Sequence, residues 1–380
     1  MTGISVHADP CLDRHWLDRA ACMAVRGLGG AAPNPLVGCI VLDQHGRFIS
    51  SGYHRQCGEA HAEVMALNAA GDQAAGGTLV VTLEPCGHTG RTAPCTESII
   101  RAGIERVVIG HRDVHPKAAG GADALAQAGI EVVMMDHTPS AHLVEPFFWT
   151  LRTGLPWLVV KWAQSIDGRM ATRTGQSQWI SSPQSRRLVH RMRGRVDAIL
   201  TGIGTVRCDD PQLTARGVRK RRTATRVIID PRADLPLESS LIATLDQAPL
   251  MVICLPSASP ERQESLRQLG VTIHHGHVRN GRIDLEQSLR SLHTEHHFSN
   301  MLVEAGPGLI SALHEEDLIR EAAIFIAPIL IADQEALPPL QGQSPSLIAE
   351  ANRLILRGQH VRGQDVLLRY GVPERPKSIG

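Results

Sequence analysis

The chain has 380 residues, of which 43% are hydrophobic, 20% charged and 3% aromatic, with a net charge of +1. A single core rarely extends past about 250–300 residues, so two domains are expected, 1–148 and 149–380. The balanced charge argues against a protein that coats phosphate backbones or membrane surfaces, and the scarcity of aromatics argues against a base-stacking platform for single strands.

The first elements follow from apolar spacing. Trp16, Leu17, Ala20, Ala21, Ala24, Val25 and Leu28 recur at three and four, which predicts a helix over 13–28 stopped by Gly29 and Gly30. Strands are predicted at 37–42 and 48–53 around the turn DQHG, then a helix at 60–70 closed by Gly71. Strand 78–83, helix 95–102, strand 106–110, helix 122–128 and strand 130–134 alternate, which implies parallel pairing through right-handed crossovers. Residues 137–156 carry three prolines and little regular pattern, and are read as the domain boundary. Beyond it, strands are expected at 156–163, 198–202, 226–230, 250–254, 271–275, 301–304 and 323–327. Helices are expected at 183–193, 260–269, 284–292 and 309–314. Both halves read as α/β.

Eight cysteines at irregular spacing suit reduced thiols better than a disulfide scaffold. The first residues lack the basic and apolar runs of a secretory signal, and no apolar stretch approaches the ~18 residues of a membrane span. A cytoplasmic protein is expected, acting on a small molecule and on neither nucleic acid nor membrane.

Three short pieces in the first half carry chemistry. His61-Ala62-Glu63 opens a helix, Pro85-Cys86 ends a strand, and Cys95 opens the next helix nine positions on. One imidazole and two thiolates suit zinc, and a catalytic zinc keeps its fourth position for water. Glu63 stands two residues from His61, about 200° round an ideal helix, and at the helix mouth can lean over the open face of the metal as a proton shuttle. This is the donor set of zinc deaminases that act on nucleobases, with one departure. Their P-C-x-x-C is here PCGHTGRTAPC, with Thr89 where the near cysteine would stand. A closed structural zinc with His88 as fourth ligand is the alternative. In the second half there is no G-x-G-x-x-G after a strand, so a Rossmann site is not supported. TGIGT and EAGPG place Gly202, Gly204, Gly306 and Gly308 after strands, where backbone can approach a phosphate closely. Arg193 and Arg216 offer guanidinium forks for a substrate phosphate.

With PNPLVG, HAE and LEPCGHTGRTAPC in the first half, and KWAQSIDGRMA, SQWISSP, GIGTVRCDDPQLTAR and VEAGPG in the second, the chain resembles the bifunctional riboflavin-biosynthesis deaminase/reductase family along nearly its whole length. The resemblance implies a three-layer, cytidine-deaminase-like N-terminal domain and a dihydrofolate-reductase-like C-terminal domain. It implies hydrolytic removal of a ring amine from diaminohydroxyphosphoribosylaminopyrimidine, then reduction of the ribosyl group to ribityl with NADPH. His61, Cys86 and Cys95 then match zinc ligands, and Glu63 the proton shuttle. Asn34 matches a residue that holds the pyrimidine, with His54, Glu59 and Arg91 as further candidates. Ser177, Arg193, Leu213, Arg216 and Glu304 match substrate contacts of the reductase. Ala163, Trp179, Thr205, Asp209 and the run Gly306, Pro307, Gly308, Leu309, Ile310, Ser311, Ala312 match NADP contacts. Lys161 is a candidate for polarising the opened sugar carbonyl. A homo-oligomer, dimer or tetramer, is expected. Val114-His115-Pro116 and the loop after it depart from the family pattern.

Three other readings compete. A deaminase with a degenerate reductase-like domain would release ammonia without oxidising NADPH. A polynucleotide deaminase would want a basic, aromatic-lined surface, which the composition opposes. A sensor of a flavin precursor would have no need of Glu63.

Overall fold

The structure is a computed structural model and describes residues 9–87, 94–116, 118–342 and 345–374. The chain forms two compact units that divide between Thr153 and Gly154. No helix among the described residues is long and apolar enough to cross a membrane.

The first unit runs α1 (Pro10–Ala24), β1 (Gly38–Leu42), β2 (Phe48–Tyr53), α2 (Ala62–Ala70), β3 (Thr78–Val81), α3 (Cys95–Arg101), β4 (Arg106–Ile109), α4 (Gly121–Gln127), β5 (Glu131–Met134) and α5 (Thr138–Thr153). Asp9 caps α1 through Cys11 N at 2.9 Å, with Pro10 in the first turn, so the helix starts earlier than apolar spacing alone predicts. The sheet order is β2-β1-β3-β4-β5, antiparallel across β2-β1-β3 and parallel across β3-β4-β5. Strand alternation splits the core in two. Cys39, Val41, Val81 and Ile109 face α2, α3 and α4, whereas Ile40, Leu42, Val80 and Val108 face α1. This is the three-layer arrangement expected. The helices sit close because glycine lets them: a Cβ on Gly52 would collide with Ala62 O, so the first turn of α2 can lie directly on β2 there.

The stretch read as an irregular boundary is instead a helix. α5 spans 16 residues with Pro146 inside it. Proline is a breaker by local rule, and α5 forms because Val144 and Trp149 bury their side chains, which outweighs the missing hydrogen bond.

The second unit runs β6 (Trp157–Ser165), α6 (Pro183–Arg193), β7 (Ala198–Gly202), α7 (Ile203–Asp209), β8 (Thr225–Ile229), β9 (Leu250–Cys254), α8 (Pro260–Gln268), β10 (Thr272–His275), β11 (Val278–Arg279), β12 (Arg282–Ile283), α9 (Leu285–His296), β13 (Asn300–Val303), α10 (Pro307–Glu315), β14 (Ile319–Ala327), β15 (Ile355–Arg362) and β16 (Asp365–Gly371). Nine of these strands make one sheet, ordered β10-β9-β8-β7-β13-β6-β14-β16-β15. It is parallel from β10 to β14, and antiparallel where β16 joins β14 and β15. α7 and the closing hairpin β15–β16 have no counterpart in the predicted elements. TGIGT reads locally as a turn, and β15 carries an alternation weakened by its mostly exposed position at the sheet edge. Ser182 and Ser259 cap α6 and α8, each with proline in the first turn.

Candidate functional site

In the first unit, the N-terminus of α2, the end of β3 and the N-terminus of α3 meet. His61 is the N-cap of α2, Cys86 lies just past β3, and Cys95 starts α3. His61 Nδ1 stands 3.2 Å from Cys95 Sγ and 3.7 Å from Cys86 Sγ, and the three ligand atoms lie within 4.8 Å of one another. Ligand atoms on a tetrahedral zinc lie roughly 3.5 Å apart, so these residues fit the ion with little movement. Their electrostatics agree. The Cys95 thiol donates to Cys86, which holds Cys86 well below the usual thiol range and pushes Cys95 well above it. Two sulfurs compete for one negative charge, and a divalent cation lets both be thiolates.

Glu63, in the first turn of α2, is 3% exposed. Burial pushes its carboxyl up, and neighbouring His61 pulls it partly back. A cation on the three ligands would act in the same sense as His61, which leaves the group able to take a proton and return it. Glu63 opens onto a cavity of about 460 Å³, shared with Asn34, His54, Glu59, His61 and Cys86. Asn34 Nδ2 stands 3.1 Å from His54 Nε2, and His54 Nδ1 stands 3.3 Å from Ala60 O. Burial holds His54 below its ordinary value, so it is neutral near pH 7, with one ring nitrogen free to accept from the Asn34 amide. His88, Thr89 and Arg91 lie outside the described residues.

The cavity also has walls that sequence reading missed. Glu84 is 4% exposed, and its carboxylate accepts from the backbone N–H of Asp113 at 3.0 Å, Gly120 at 3.2 Å and Ala122 at 3.0 Å. It thereby ties the loop that brings Asp113, His115 and Ala118 to the cavity. The signal was present in LEPC: a carboxylate beside a metal ligand needs donors of its own. Phe147 of α5 also lines the cavity. It lay in the stretch read as irregular.

In the second unit, β7, β13 and β6 are adjacent and parallel, so their carboxyl ends share one edge, the usual ligand side of such sheets. Here the Arg193 guanidinium meets the Glu304 carboxylate through Nε at 2.6 Å and Nη2 at 3.0 Å, and Nη1 donates to Thr214 O at 3.1 Å. The phosphate fork read into Arg193 is therefore already occupied. Arg216 is exposed, and its guanidinium meets Gln212 and Thr214. Burial alone would raise the Glu304 carboxyl, and Arg193 overrides it to leave Glu304 below its ordinary value. Burial lowers Lys161, which interacts with both. Leu213, at φ 51°, is buried beside Thr214.

Two pairs among the expected cofactor and substrate residues meet. Thr205 Oγ1 accepts from Gly306 N at 2.9 Å, and Ser177 Oγ donates to Asp209 at 3.0 Å. Trp179 is 69% exposed, with the Arg186 guanidinium 4.5 Å from its ring centre, and Ala163 lies half-buried on β6. Gly306 caps α10 without a side chain, Pro307 and Gly308 follow in the first turn, and a Cβ on Gly308 would meet open space. The first turn of α10 can thus offer bare N–H groups to a dinucleotide phosphate. The run 306–312 does not act as one face, since a helix turns about 100° per residue. Leu309 approaches Gly202, Ala312 is half-buried, Ile310 is fully buried, and the Ser311 hydroxyl is taken by Gln341 N at 2.7 Å. Ile310 borders a separate cavity of about 610 Å³ with Trp162 and His314.

Removing Glu304 should leave Arg193 as an uncompensated buried charge. Glu304→Ala is expected to destabilise the second unit by about 3–5 kcal/mol and to abolish reduction, with deamination retained. Urea unfolding and the two separate assays check this.

Comparison with known proteins covers both units. Residues 12–111 match the family described as cytidine and deoxycytidylate deaminase zinc-binding region, and residues 156–368 match that described as RibD C-terminal domain. The riboflavin biosynthesis protein RibD of Aquifex aeolicus is 39% identical over 324 residues, covering 85% of this chain and 88% of that protein. The protein of the same name in Escherichia coli is 36% identical over 373 residues, covering 94% and 98%. The solved structure of Acinetobacter baumannii RibD matches with a TM-score of 0.80 at 35% identity, over 96% of this chain and 100% of that one. The diaminohydroxyphosphoribosylaminopyrimidine deaminase/5-amino-6-(5-phosphoribosylamino)uracil reductase of Thermotoga maritima matches with a TM-score of 0.80 at 30% identity, over 96% and 99%. With a zinc-binding deaminase region and a reductase domain in one chain, and relatives matched almost end to end, this protein belongs to the bifunctional riboflavin-biosynthesis deaminase/reductase family.

Proposed function

We propose that the first unit deaminates diaminohydroxyphosphoribosylaminopyrimidine and that the second reduces the ribosyl group of the product, with the residues named here in the roles the resemblance implies. The observation that carries the reading is the convergence of His61, Cys86 and Cys95, beside a cavity that His61 and Cys86 share with buried Glu63 and Asn34. Zinc bound there supplies Lewis acidity that makes a water molecule a nucleophile near neutral pH. Glu63 takes the proton of that water as the new C–O bond forms at the amine-bearing ring carbon. It then delivers the proton to the amine, which leaves as ammonia when the C–N bond breaks. Asn34, oriented through His54, presents both a donor and an acceptor to the pyrimidine edge. The cavity walls exclude bulk water and hold the ring against Glu63.

In the second unit, NADPH supplies the hydride. The first turn of α10, with Thr205 fixing Gly306, holds the cofactor phosphate, Asp209, Trp179 and Ala163 border the cofactor, and Ser177, hydrogen-bonded to Asp209, contacts the substrate. Arg193 holds Glu304 in place, while Arg216, which is exposed, meets the substrate phosphate. Lys161 polarises the sugar carbonyl, its burial favouring a group that gives up a proton readily. A degenerate second domain is not favoured, because residues 156–368 match the reductase family model and relatives match almost end to end. The protein acts in the cytoplasm on a small molecule and not on nucleic acid. Edge strand β15 exposes the apolar side chains Ile355, Leu356 and Val361, and an exposed edge of this kind suits a homo-oligomer.

The test is a coupled assay on the purified protein. Supplied with the diaminopyrimidine nucleotide and NADPH, it should release one ammonia for each NADPH oxidised. Ammonia without NADPH oxidation would sink the reductase assignment, and neither product would sink both.

A further inference from the structure

A second group of metal-ligand side chains stands in the reductase unit, on β10 and the last turn of α9. His274 Nδ1 faces Glu295 Oε2 at 3.7 Å, and the His274 and His296 rings meet edge-on with centres 5.8 Å apart. One ligand atom from each of His274, Glu295 and His296 falls within 4.8 Å of the others. The other nitrogen of His274 is already engaged, since Nε2 stands 3.0 Å from Ser291 Oγ. That leaves Nδ1 turned toward Glu295 and His296. A hydrogen bond at the far ring nitrogen is how proteins orient an imidazole for a metal. The His274 side chain is only 9% exposed, so its orientation is held by its surroundings. His296 is held on its other side by stacking on Phe298 at 5.6 Å. Ser291 and Glu295, four apart on α9, share a face, and both lie in the helix's second half, where unsatisfied carbonyls favour a cation.

We propose that His274, Glu295 and His296 form a second metal site, separate from the deaminase centre, for a divalent transition ion such as zinc. Two imidazoles and one carboxylate are a donor set for a borderline ion and not for magnesium or calcium, which take oxygen. β10 is an edge strand of the nine-stranded sheet, so an ion there clamps the edge to α9. Its work is structural, because binding to the folded form alone raises stability.

The test uses the full chain with its deaminase zinc in place. Zinc added to the holoprotein should bring the total to two equivalents per chain and raise the melting temperature. Glu295→Gln and His296→Gln, both at partly exposed positions, should return the total to one with folding intact. Ser291→Ala should keep the second site but weaken it by roughly 10–100-fold, the usual effect of losing an orienting partner. Cys95→Ala, which removes the other site, should still bind one equivalent, and cobalt there should give a spectrum without the thiolate charge-transfer band. A total of one equivalent at saturating zinc, or a second equivalent unaffected by either glutamine substitution, would overturn the proposal.

Discussion

Glu63→Gln is expected to lower the rate of deamination by about 10²–10⁴-fold while one zinc stays bound at His61, Cys86 and Cys95. Glutamine keeps the size and one acceptor oxygen of the side chain, so the cavity should keep its shape. What it loses is the ability to carry a proton from water to the departing amine. Burial accentuates the difference: at 3% exposure no bulk water replaces the carboxylate as a base. The substitution should lower kcat far more than it raises KM, because the proton is moved in the transition state and not on binding. Metal analysis beside steady-state ammonia release separates the two readings. Substantial turnover with zinc in place would remove Glu63 from the mechanism. Loss of zinc would make it a structural support instead.

Cys95→Ala should lose both the metal of the deaminase centre and deamination, with reduction of the deaminated substrate by NADPH preserved. Cys95 is 1% exposed and starts α3, so its sulfur is held by the helix. Its removal leaves His61 and Cys86, and two ligands do not retain zinc against dilution. The alanine also removes the thiol that donates to Cys86, whose thiolate is then stabilised less and should titrate at higher pH than in the zinc-free parent. Alkylation of Cys86 against pH reads that shift. Retention of one zinc at the deaminase centre would show that a ligand has been misplaced. Loss of reduction as well would show that the second unit depends on the first.

Much of the protein is written in local pattern. The period of three and four in α1, the alternating strands and helices of the parallel sheets, and the serine–proline starts of α6 and α8 are short-range signals. Short-range physics decides them: capping, side-chain period and backbone restriction act within a few residues. The cluster of His61, Cys86 and Cys95 was legible for a related reason. Histidine and cysteine at the mouths of elements form a donor set whose chemistry does not depend on the surrounding fold. Local rules failed at α5, where Pro146 suggested a break and burial of Val144 and Trp149 prevailed. They failed also at α7, where glycines suggested a turn.

What the fold alone decided is which distant residues share a cavity or a charge. Glu84 meets the N–H groups of Asp113, Gly120 and Ala122 only because β3 and β4 lie side by side. Arg193 meets Glu304 across 111 positions, which assigns its guanidinium to a carboxylate where sequence reading expected a phosphate. The run 306–312 was expected as one set of cofactor contacts, and the helix divides it between an open first turn and a buried face. The sequence by itself determined the candidate zinc-ligand set, the carboxylate proposed as proton shuttle and the alternation of elements, because each rests on chemistry or periodicity within a short span. Tertiary structure decided the walls of the pocket, the partner of Arg193 and the pairing of His274 with α9, because strand order brings together residues that no local spacing relates.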